Sequence, residues 1–418
     1  MKKYKKKNIL HIKKKKYFKI RHKKEKKNYF SFFVIKIFIS LILFIILGLF
    51  EFLNTSSDFN NSDIKIIESK EYENFNKIKN KITDPLFKTL IKEISIIKHI
   101  YTDKTNFFKK GKNIIYITIG INNNKDYKYI MYVSMLSLLF NCNKKKSFIV
   151  YHILCSPDFN ESSIEVFKPL LRNYSQNVEM IFYNMGNLFE NQKINKKPPE
   201  KFYRLITPLF IDSDRIIHLD GDTIILSDLY EMYKLNFDDN YVLGSYDVIP
   251  NALDYLGINS TKYINSGVIL LNLKKINKDN KTKEIIDLIA KNDFELRNLD
   301  QTVINYLFYP KIGRLPSKYG LFNFWDKKDL ILYNNIIRTK IPIAELEEAF
   351  DNPGVIHFVL CWPKAWLTTS VYRNIYSHCQ EKHDCRCRKY FDLWHFYAKK
   401  TEYYEQIRSF TGVKRNIY

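Results

Sequence analysis

Hydrophobic and polar residues divide this chain into a short membrane-like segment and a long alternating region. Residues 29–50 read YFSFFVIKIFISLILFIILGLF, in which Lys36 is the one charge. A helix needs about 20 apolar residues to span a bilayer. A cleaved signal peptide, the alternative interpretation, has a shorter apolar core that ends in small residues, whereas Glu51 and Phe52 follow here. The pattern therefore predicts an uncleaved transmembrane anchor over residues 30–53.

The charge distribution orients this anchor. The chain holds 68 Lys plus Arg and 44 Asp plus Glu, for a net charge of +24, and residues 1–29 alone carry 15 Lys or Arg against one acid, Glu25. A basic flank stays on the cytoplasmic side of a membrane. We therefore predict a single-pass type II protein whose bulk faces the Golgi or ER lumen in a eukaryotic cell. Because this flank would lie beside anionic headgroups, the high charge does not indicate a nucleic-acid partner.

Beyond the anchor, strand-like runs alternate with helical periods. Residues 54–110 are rich in Asn, Ser, Lys and Ile and are predicted to form a stem, with one helical stretch at residues 86–101. Alternation after Lys112 is typical of an α/β domain with a mainly parallel sheet. The predicted strands are 113–121, 147–155, 178–183, 215–219, 223–226 and 268–273. The predicted helices are 127–140, 162–174, 202–211, 301–308 and 392–407.

The strongest chemical candidate is Asp220-Gly221-Asp222, directly after a predicted strand. Ligands of such sheets bind beyond the carboxyl ends of the strands. Two carboxylates across a glycine can converge on one hard cation and leave positions open for phosphate oxygens. The pattern alone is also compatible with an ordinary turn. Phosphatases of the haloacid dehalogenase type need a threonine two residues after the second aspartate, whereas Thr223 follows it immediately, which disfavours that class.

Four sequence blocks, over about residues 112–410, together resemble glycosyltransferase family 8. They are FYRL (202–205) with DRIIHLDGDTI (214–224), YINSGV (263–268), LDQ (299–301), and IHF (356–358) with KAW (364–366). That family includes glycogenin and bacterial lipopolysaccharide galactosyl- and glucosyltransferases. The resemblance implies a GT-A fold, a Rossmann-like mixed α/β sheet flanked by helices, over residues 111–375. A Cys-containing helical extension would follow over residues 376–418.

The resemblance also implies a metal site and a donor site. Asp220, Asp222 and His357 would hold Mn²⁺ or Mg²⁺, and the metal would grip the diphosphate of a UDP-sugar. A ligand set of two carboxylates and one imidazole is more typical of Mn²⁺, whereas Mg²⁺ prefers a site made of oxygen ligands alone. The implied catalytic residues are Gln301 and Asp300. Gln301 would lie near the anomeric carbon, and Asp300 would bind sugar hydroxyls. The other implied donor-binding residues are Tyr127, Asn124, Asp126, Arg204, Asn265, Asp247 and Lys364, with Asp220 shared.

Five of these residues also have a structural alternative, and some positions depart from the family pattern. The alternatives are a structural histidine at 357, a turn at Asn265, a helix N-cap at Asp300, an ion pair at Arg204 and a core ring at Tyr127. The segment Asn124-Lys125-Asp126-Tyr127 replaces the usual acidic-acidic-Asn-Tyr run. In the last block Leu360 replaces a glycine, Ala365 replaces a proline, and Lys364 stands seven rather than six residues after the histidine.

The expected reaction is transfer of a hexose from a UDP-sugar, UDP-glucose or UDP-galactose first, to a glycan, glycolipid or glycoprotein, with retention of configuration. The amide of Gln301 is a poor nucleophile for a covalent intermediate, so the resemblance implies attack by the acceptor on the leaving-group side. A second hypothesis is a catalytically silent GT-A protein that binds glycans or nucleotides. A third is a membrane-tethered binder of nucleic acid or lipid surfaces.

The C-terminal region contains a cluster of cysteines and histidines. Its members are His378, Cys379, His383, Cys385 and Cys387. The Cys-x5-Cys-x-Cys spacing is not a standard zinc pattern, and outside the cytosol disulfides are favoured. The pairing stays open, and zinc remains an alternative.

Overall fold

The computed structural model describes part of the chain. The described residues are 64–65, 70–102, 104–124, 126–189, 198–247, 253–258, 262–291, 297–322, 334–335, 341–359, 364–366 and 387–409. No helix among them is long and apolar enough to cross a membrane. The predicted basic tail (1–29) and anchor (30–53) lie outside the described residues, so both stay predictions.

A nine-stranded mixed sheet organises the described chain. Its strands are, in chain order, β1 (Ile64–Lys65), β2 (Ser95–Thr102), β3 (Asn113–Ile121), β4 (Ser147–Cys155), β5 (Val178–Asn184), β6 (Ile216–Leu219), β8 (Val242–Tyr246), β9 (Ile264–Leu271) and β10 (Ile312–Arg314). Their spatial order is β1-β2-β5-β4-β3-β6-β9-β8-β10. The central strands β5, β4, β3 and β6 are parallel, while β2 and β9 pair antiparallel to this block. The predicted α/β architecture with a mixed sheet is therefore confirmed.

A second, smaller sheet has three strands, all from the half of the chain after residue 220. It contains β7 (Thr223–Ile225), β11 (Tyr319–Phe322) and β12 (Val355–His357) in the order β11-β12-β7. Strand β12 pairs antiparallel with β7, which sets His357 opposite Thr223. It also pairs parallel with β11. This pairing brings the chain near residue 357 to the turn that follows β6.

Helices cover both faces of the large sheet. They are α1 (Lys70–Lys81), α2 (Pro85–Glu93), α3 (Thr105–Lys109), α4 (Tyr127–Asn141), α5 (Glu161–Glu165), α6 (Lys168–Tyr174), α7 (Tyr230–Tyr233), α8 (Leu273–Lys278), α9 (Lys281–Lys291), α10 (Leu299–Phe308), α11 (Ile343–Asp351), α12 (Cys387–Ala398) and α13 (Tyr404–Arg408). Short 3₁₀ segments span Pro199–Lys201, Tyr203–Leu209 and Asp254–Leu256. Every residue of β4 is buried. Helical cover on both faces explains why β4 is a continuous apolar run rather than an alternating one.

The expected stem contains structure that belongs to the sheet. Helical periodicity predicts one helix over residues 86–101, but α2 ends at Glu93 and the chain continues as β2. The sequence SIIKHIYT is rich in β-branched and aromatic residues, which favour strands. Strand β2 pairs antiparallel with β5 and buries Ile100 completely. The part of residues 54–110 from β2 onward is therefore integral to the fold rather than a spacer.

Two predicted helices are divided in the structure. Residues 162–174 form α5 and α6, separated at Val166 and Phe167, and Phe167 is fully buried. Residues 392–407 fall in α12 and α13. Helix α12 packs on the end of α4, where Tyr397 Oη lies 2.6 Å from Asn141 Nδ2. Of the C-terminal cluster, His378, Cys379, His383 and Cys385 lie outside the described residues, so their chemistry stays open.

Candidate active site

The Asp-Gly-Asp turn and the end of β12 bring three metal-ligand side chains together. Asp220 and Asp222 follow β6 directly, and His357 is the last residue of β12. One ligand atom from each of the three lies within 4.8 Å of the others. Nε2 of His357 is 3.2 Å from Oδ1 of Asp222 and 3.7 Å from Oδ2 of Asp220. The structure thus assembles the predicted metal trio from positions that are far apart in sequence.

The remaining carboxylate oxygens of this trio have other partners. Oδ1 of Asp220 accepts from Nη2 of Arg204 at 2.9 Å and contacts Nε2 of His218 at 3.3 Å. Oδ2 of Asp222 accepts from Nζ of Lys364 at 3.2 Å. One oxygen of each aspartate and one imidazole nitrogen therefore face each other. Two anionic oxygens and a nitrogen form a donor set that fits Mn²⁺ or a similar divalent ion.

Gly267 on β9 forms the floor of this cluster. A Cβ at this position would lie 2.2 Å from Cε1 of His357 and 2.8 Å from Oδ2 of Asp220. Real Cβ atoms do not approach other atoms this closely, so only glycine allows the strand to pass beneath the trio. The YINSGV block thus contributes backbone close to the candidate metal site.

Both aspartates stay ionised because cations and hydrogen-bond donors lie beside them. Burial alone would raise the pKa of Asp220, but Arg204 and His218 more than offset it and hold that pKa well below its usual range. Burial likewise opposes ionisation of Asp222, yet Lys364 and His357 lower its pKa to about 2. Both carboxylates are therefore ionised at neutral pH, and each has its own cation, Arg204 beside Asp220 and Lys364 beside Asp222.

Arg204 links the metal trio to helix α10. It lies in the 3₁₀ segment Tyr203–Leu209, is buried, and donates from Nη1 to the carbonyl oxygen of Ser266 at 2.7 Å. Its Nε lies 3.3 Å from Oδ2 of Asp300. Asp300 is in the first turn of α10, and Asn298 occupies the N-cap position. The N-cap interpretation of Asp300 is therefore wrong, whereas the ion-pair interpretation of Arg204 is confirmed.

A buried hydrogen-bond network fixes Gln301. Its Oε1 accepts from the backbone N–H of Ser266 at 3.0 Å, and its Nε2 donates to Oδ2 of Asp247 at 2.9 Å. Nδ2 of Asn265 donates to the same Asp247 oxygen at 3.0 Å, and Oδ1 of Asn265 accepts from the N–H of Gly267 at 2.9 Å. Asn265 lies within strand β9, so the turn interpretation of this residue is wrong, and its side chain belongs to the polar network instead.

Tyr127 supports the Asp-Gly-Asp turn from α4. Its hydroxyl accepts from the backbone N–H of Gly221 at 3.1 Å. Burial, reinforced by the charges of Asp222 and Asp220, raises the pKa of Tyr127 well above its usual value. The residue as a whole is partly exposed, while its hydroxyl end lies against the turn. It holds the turn, and the stacking role implied by the resemblance stays a prediction.

The loop between β3 and α4 carries the two other predicted donor-binding residues. Oδ1 of Asn124 accepts from the backbone N–H of Asp126 at 3.0 Å, and the N–H of Asn124 donates to Oδ1 of Asn122 at 3.1 Å. These local bonds shape the loop at the same sheet edge as Tyr127. The donor-binding role of Asn124 and Asp126 stays a prediction.

Sequence reasoning missed His218 and Ser266. His218 lies on β6 behind Asp220, and Ser266 offers its backbone N–H to Gln301 and its carbonyl oxygen to Arg204. The signal for His218 is one polar residue within the apolar strand Ile216–Leu219. Ser266 acts through backbone atoms, and no side-chain pattern reports that role.

The chain matches known proteins over most of the described fold. The model of the family Glycosyl transferase family 8 matches residues 118–370. The lipopolysaccharide 1,2-glucosyltransferase of Escherichia coli is 26% identical over 280 residues, which are 62% of this chain and 77% of that protein. Glycosyltransferase GlyE of Streptococcus pneumoniae serotype 4 is 26% identical over 192 residues, 45% of this chain and 43% of GlyE.

Two solved structures have a similar fold. The galactosyltransferase LgtC, in complex with donor and acceptor sugar analogues, superposes with a TM-score of 0.52 at 19% identity, over 70% of this chain and 100% of that one. The bifunctional glycosyltransferase WbbM, in its apo form, gives a TM-score of 0.54 at 16% identity, over 72% of this chain and 52% of that one. At these identities the likeness shows the fold alone, which is of the GT-A type.

Proposed function

Because this chain belongs to glycosyl transferase family 8 and is therefore a sugar transferase, we propose that it moves a hexose from a UDP-sugar to a carbohydrate-bearing acceptor with retention of configuration. UDP-glucose and UDP-galactose are the first candidate donors, and a glycan, glycolipid or glycoprotein is the acceptor class. The observation that carries the proposal is the convergence of Asp220, Asp222 and His357 within 4.8 Å.

These three residues would hold a divalent cation, Mn²⁺ first, which supplies charge that offsets the negative charge developing on a leaving diphosphate. Lys364 adds a second cation beside Asp222. Its Nζ also donates to the carbonyl oxygen of Phe358 and lies 5.6 Å from the ring centroid of Trp366. These contacts fix the ammonium at the site despite the extra residue in the last block.

Gln301 and its neighbours bear on how the sugar is attacked. Both ends of the Gln301 amide are engaged, by Ser266 and by Asp247, so the side chain has one orientation. An amide is a poor nucleophile, which disfavours a covalent sugar–enzyme intermediate through this residue. We infer attack by the acceptor hydroxyl on the face from which the diphosphate leaves. The chain then contributes mainly positioning and electrostatic stabilisation.

The test uses the full chain, purified in detergent, with UDP-glucose, UDP-galactose, UDP-xylose and UDP-GlcNAc as donors. We expect UDP release with Mn²⁺, loss of release with EDTA, and a loss of about 100-fold in Asp222→Ala, because removing a ligand should cost as much as removing a residue that only supports one. Asp239→Ala removes a carboxylate that is 72% exposed and serves as the matched control. Full activity in EDTA, or in Asp222→Ala, would contradict the metal assignment. Donor binding without turnover would favour the silent-binder alternative.

We also propose that the chain is a type II membrane protein held by residues 30–53, with the sheet on the lumenal side. The basis is the apolar run with its basic N-terminal flank. Expression in microsomes tests this topology by carbonate extraction and protease protection. Protection of residues 64–409 and resistance to carbonate are expected. Digestion of that region in intact microsomes would overturn the orientation.

A further inference from the structure

His218 is a buried polar residue with no role so far in the proposed reaction. It lies on β6, two residues before Asp220, and its side chain is only 1% exposed. The other residues of this strand are Ile216, Ile217 and Leu219, which are apolar and buried. A buried imidazole is costly unless both nitrogens are satisfied. Its two partners therefore indicate what the residue does.

Both ring nitrogens of His218 have a partner. Nδ1 lies 2.9 Å from Oγ1 of Thr118, and Nε2 lies 3.3 Å from Oδ1 of Asp220. Thr118 is fully buried and stands opposite His218 in the parallel pairing of β3 with β6. Strand pairing thus fixes the position of the threonine hydroxyl relative to the imidazole.

The chemistry of the two partners assigns the proton. An ionised carboxylate only accepts hydrogen bonds, so the imidazole must donate from Nε2 to Asp220. In the neutral imidazole Nδ1 then accepts, and the hydroxyl of Thr118 donates to it. The chain Thr118–His218–Asp220 is therefore directional, and it ends on one oxygen of a candidate metal ligand.

This geometry divides the two oxygens of Asp220. Oδ1 accepts hydrogen bonds from Nη2 of Arg204 and from Nε2 of His218. Oδ2 faces His357 at 3.7 Å. We propose that His218, oriented by Thr118, is a positioning residue of the metal site that reserves Oδ2 of Asp220 for the cation. The inference rests on the proposed function, because it presumes that the trio binds a divalent ion.

Residues that orient metal ligands typically change metal affinity by about 10- to 100-fold when they are removed. The test measures Mn²⁺ affinity of the full chain in detergent, by electron paramagnetic resonance of free Mn²⁺, without donor or acceptor. We expect His218→Phe to weaken binding by about 10-fold or more. His218→Gln retains an amide donor and should recover most of the loss. Thr118→Val, which removes only the orienting hydroxyl, should fall between the two.

His152 provides a matched control. It is a buried histidine on β4, opposite the same Thr118 in the β3–β4 pairing, and its Nδ1 lies 2.9 Å from the hydroxyl of Tyr183 rather than from a metal ligand. His152→Phe should lower the unfolding temperature and leave Mn²⁺ affinity unchanged. A merely structural role for His218 would give that same result in His218→Phe, and this would overturn the proposal.

The remaining outcomes also separate the two hypotheses. If the wild-type chain binds no Mn²⁺, the metal site itself fails, and the inference about His218 fails with it. If the wild type binds Mn²⁺ and His218→Phe binds equally well, only the inference about His218 fails. Should His218→Phe not fold, Thr118→Val decides, because unchanged affinity in that variant contradicts the orienting chain.

Discussion

Nε of Arg204 lies 3.3 Å from Oδ2 of Asp300, and both side chains are almost completely buried. Burial raises the pKa of Asp300, and the nearby guanidinium opposes that rise. The same guanidinium bonds to Asp220 through Nη2. One cation thus compensates the buried carboxylate of Asp300 and the partly buried carboxylate of Asp220, and its removal would leave both of them without that compensation.

Arg204→Met is therefore expected to destabilise the fold by about 3 to 5 kcal/mol, the usual cost of breaking a buried ion pair by removing one partner. Adding Asp300→Asn should restore part of this loss, since it removes one of the stranded charges. Urea unfolding of the single and double variants measures both effects. Arg215→Met is the control, because Arg215 donates to the carbonyl oxygens of Tyr233 and Leu235. Asp300→Asn should not rescue that variant.

Gly267→Ala should abolish Mn²⁺ binding without unfolding the protein. The added methyl would overlap Cε1 of His357 at 2.2 Å and so displace the imidazole from the carboxylates. Mn²⁺ titration followed by paramagnetic resonance measures the loss. Gly313→Ala places a methyl 2.3 Å from Cδ2 of Leu243, the flexible end of a side chain away from the trio, and should leave affinity intact. Normal affinity in Gly267→Ala would mean that the trio is not the binding site.

Glu345 should make stability depend on pH under acidic conditions. Burial opposes its ionisation, but Arg314 and Ser317 lower its pKa to about 2, against about 4.3 in an unfolded chain. The folded state is thus favoured above pH 4.3, and this contribution is lost as the pH falls towards 2. Because both Arg314 and Glu345 are 29% exposed, we expect only about 1 kcal/mol.

The measurement compares urea unfolding at pH 6 and pH 3 for the wild type and Glu345→Gln. The variant should be less stable at pH 6, and the difference from the wild type should be smaller at pH 3, where part of the Glu345 contribution is already lost. An equal difference between the two proteins at both pH values would show that the charge of Glu345 does not contribute.

Glu179 should report whether the segment before residue 111 belongs to the folded unit. It is buried on β5, contacts Lys109 of α3, and lies 3.5 Å from Nε2 of His99 on β2. Glu179→Ala removes the buried partner of Lys109 and His99 and should cost about 3 kcal/mol. Glu165→Ala removes a carboxylate that is 47% exposed and pairs with Lys98, so it should cost below about 1 kcal/mol. Equal costs in urea unfolding would contradict the buried role.

Local sequence patterns predict the central sheet well and its junction with the expected stem poorly. Strands β3 and β4 have the bounds expected from their apolar runs, because a strand covered on both faces is apolar throughout. The helical period of residues 86–101 does not reveal that the chain turns into β2. That outcome depends on pairing with β5, and the partner strand is more than 70 residues later in the sequence.

The candidate site divides in a similar way. The resemblance identifies the metal trio and Gln301, since these side chains belong to recognisable sequence blocks. It does not reveal that Gln301 and Asp247 hydrogen-bond across 54 positions, or that His218 reaches back to Thr118 across 100. Such contacts arise from strand register, which local periodicity does not encode.

Because the metal site needs the pairing of β12 with β7, it can form only late in the synthesis of the chain. Asp222 and His357 are 135 positions apart, so the two carboxylates leave the ribosome long before the imidazole does. A nascent chain that ends before β12 holds an incomplete ligand set. Mn²⁺ affinity would therefore distinguish full-length, correctly folded molecules from truncated or misfolded ones. A measurement of Mn²⁺ binding could then serve as a quality check on recombinant protein.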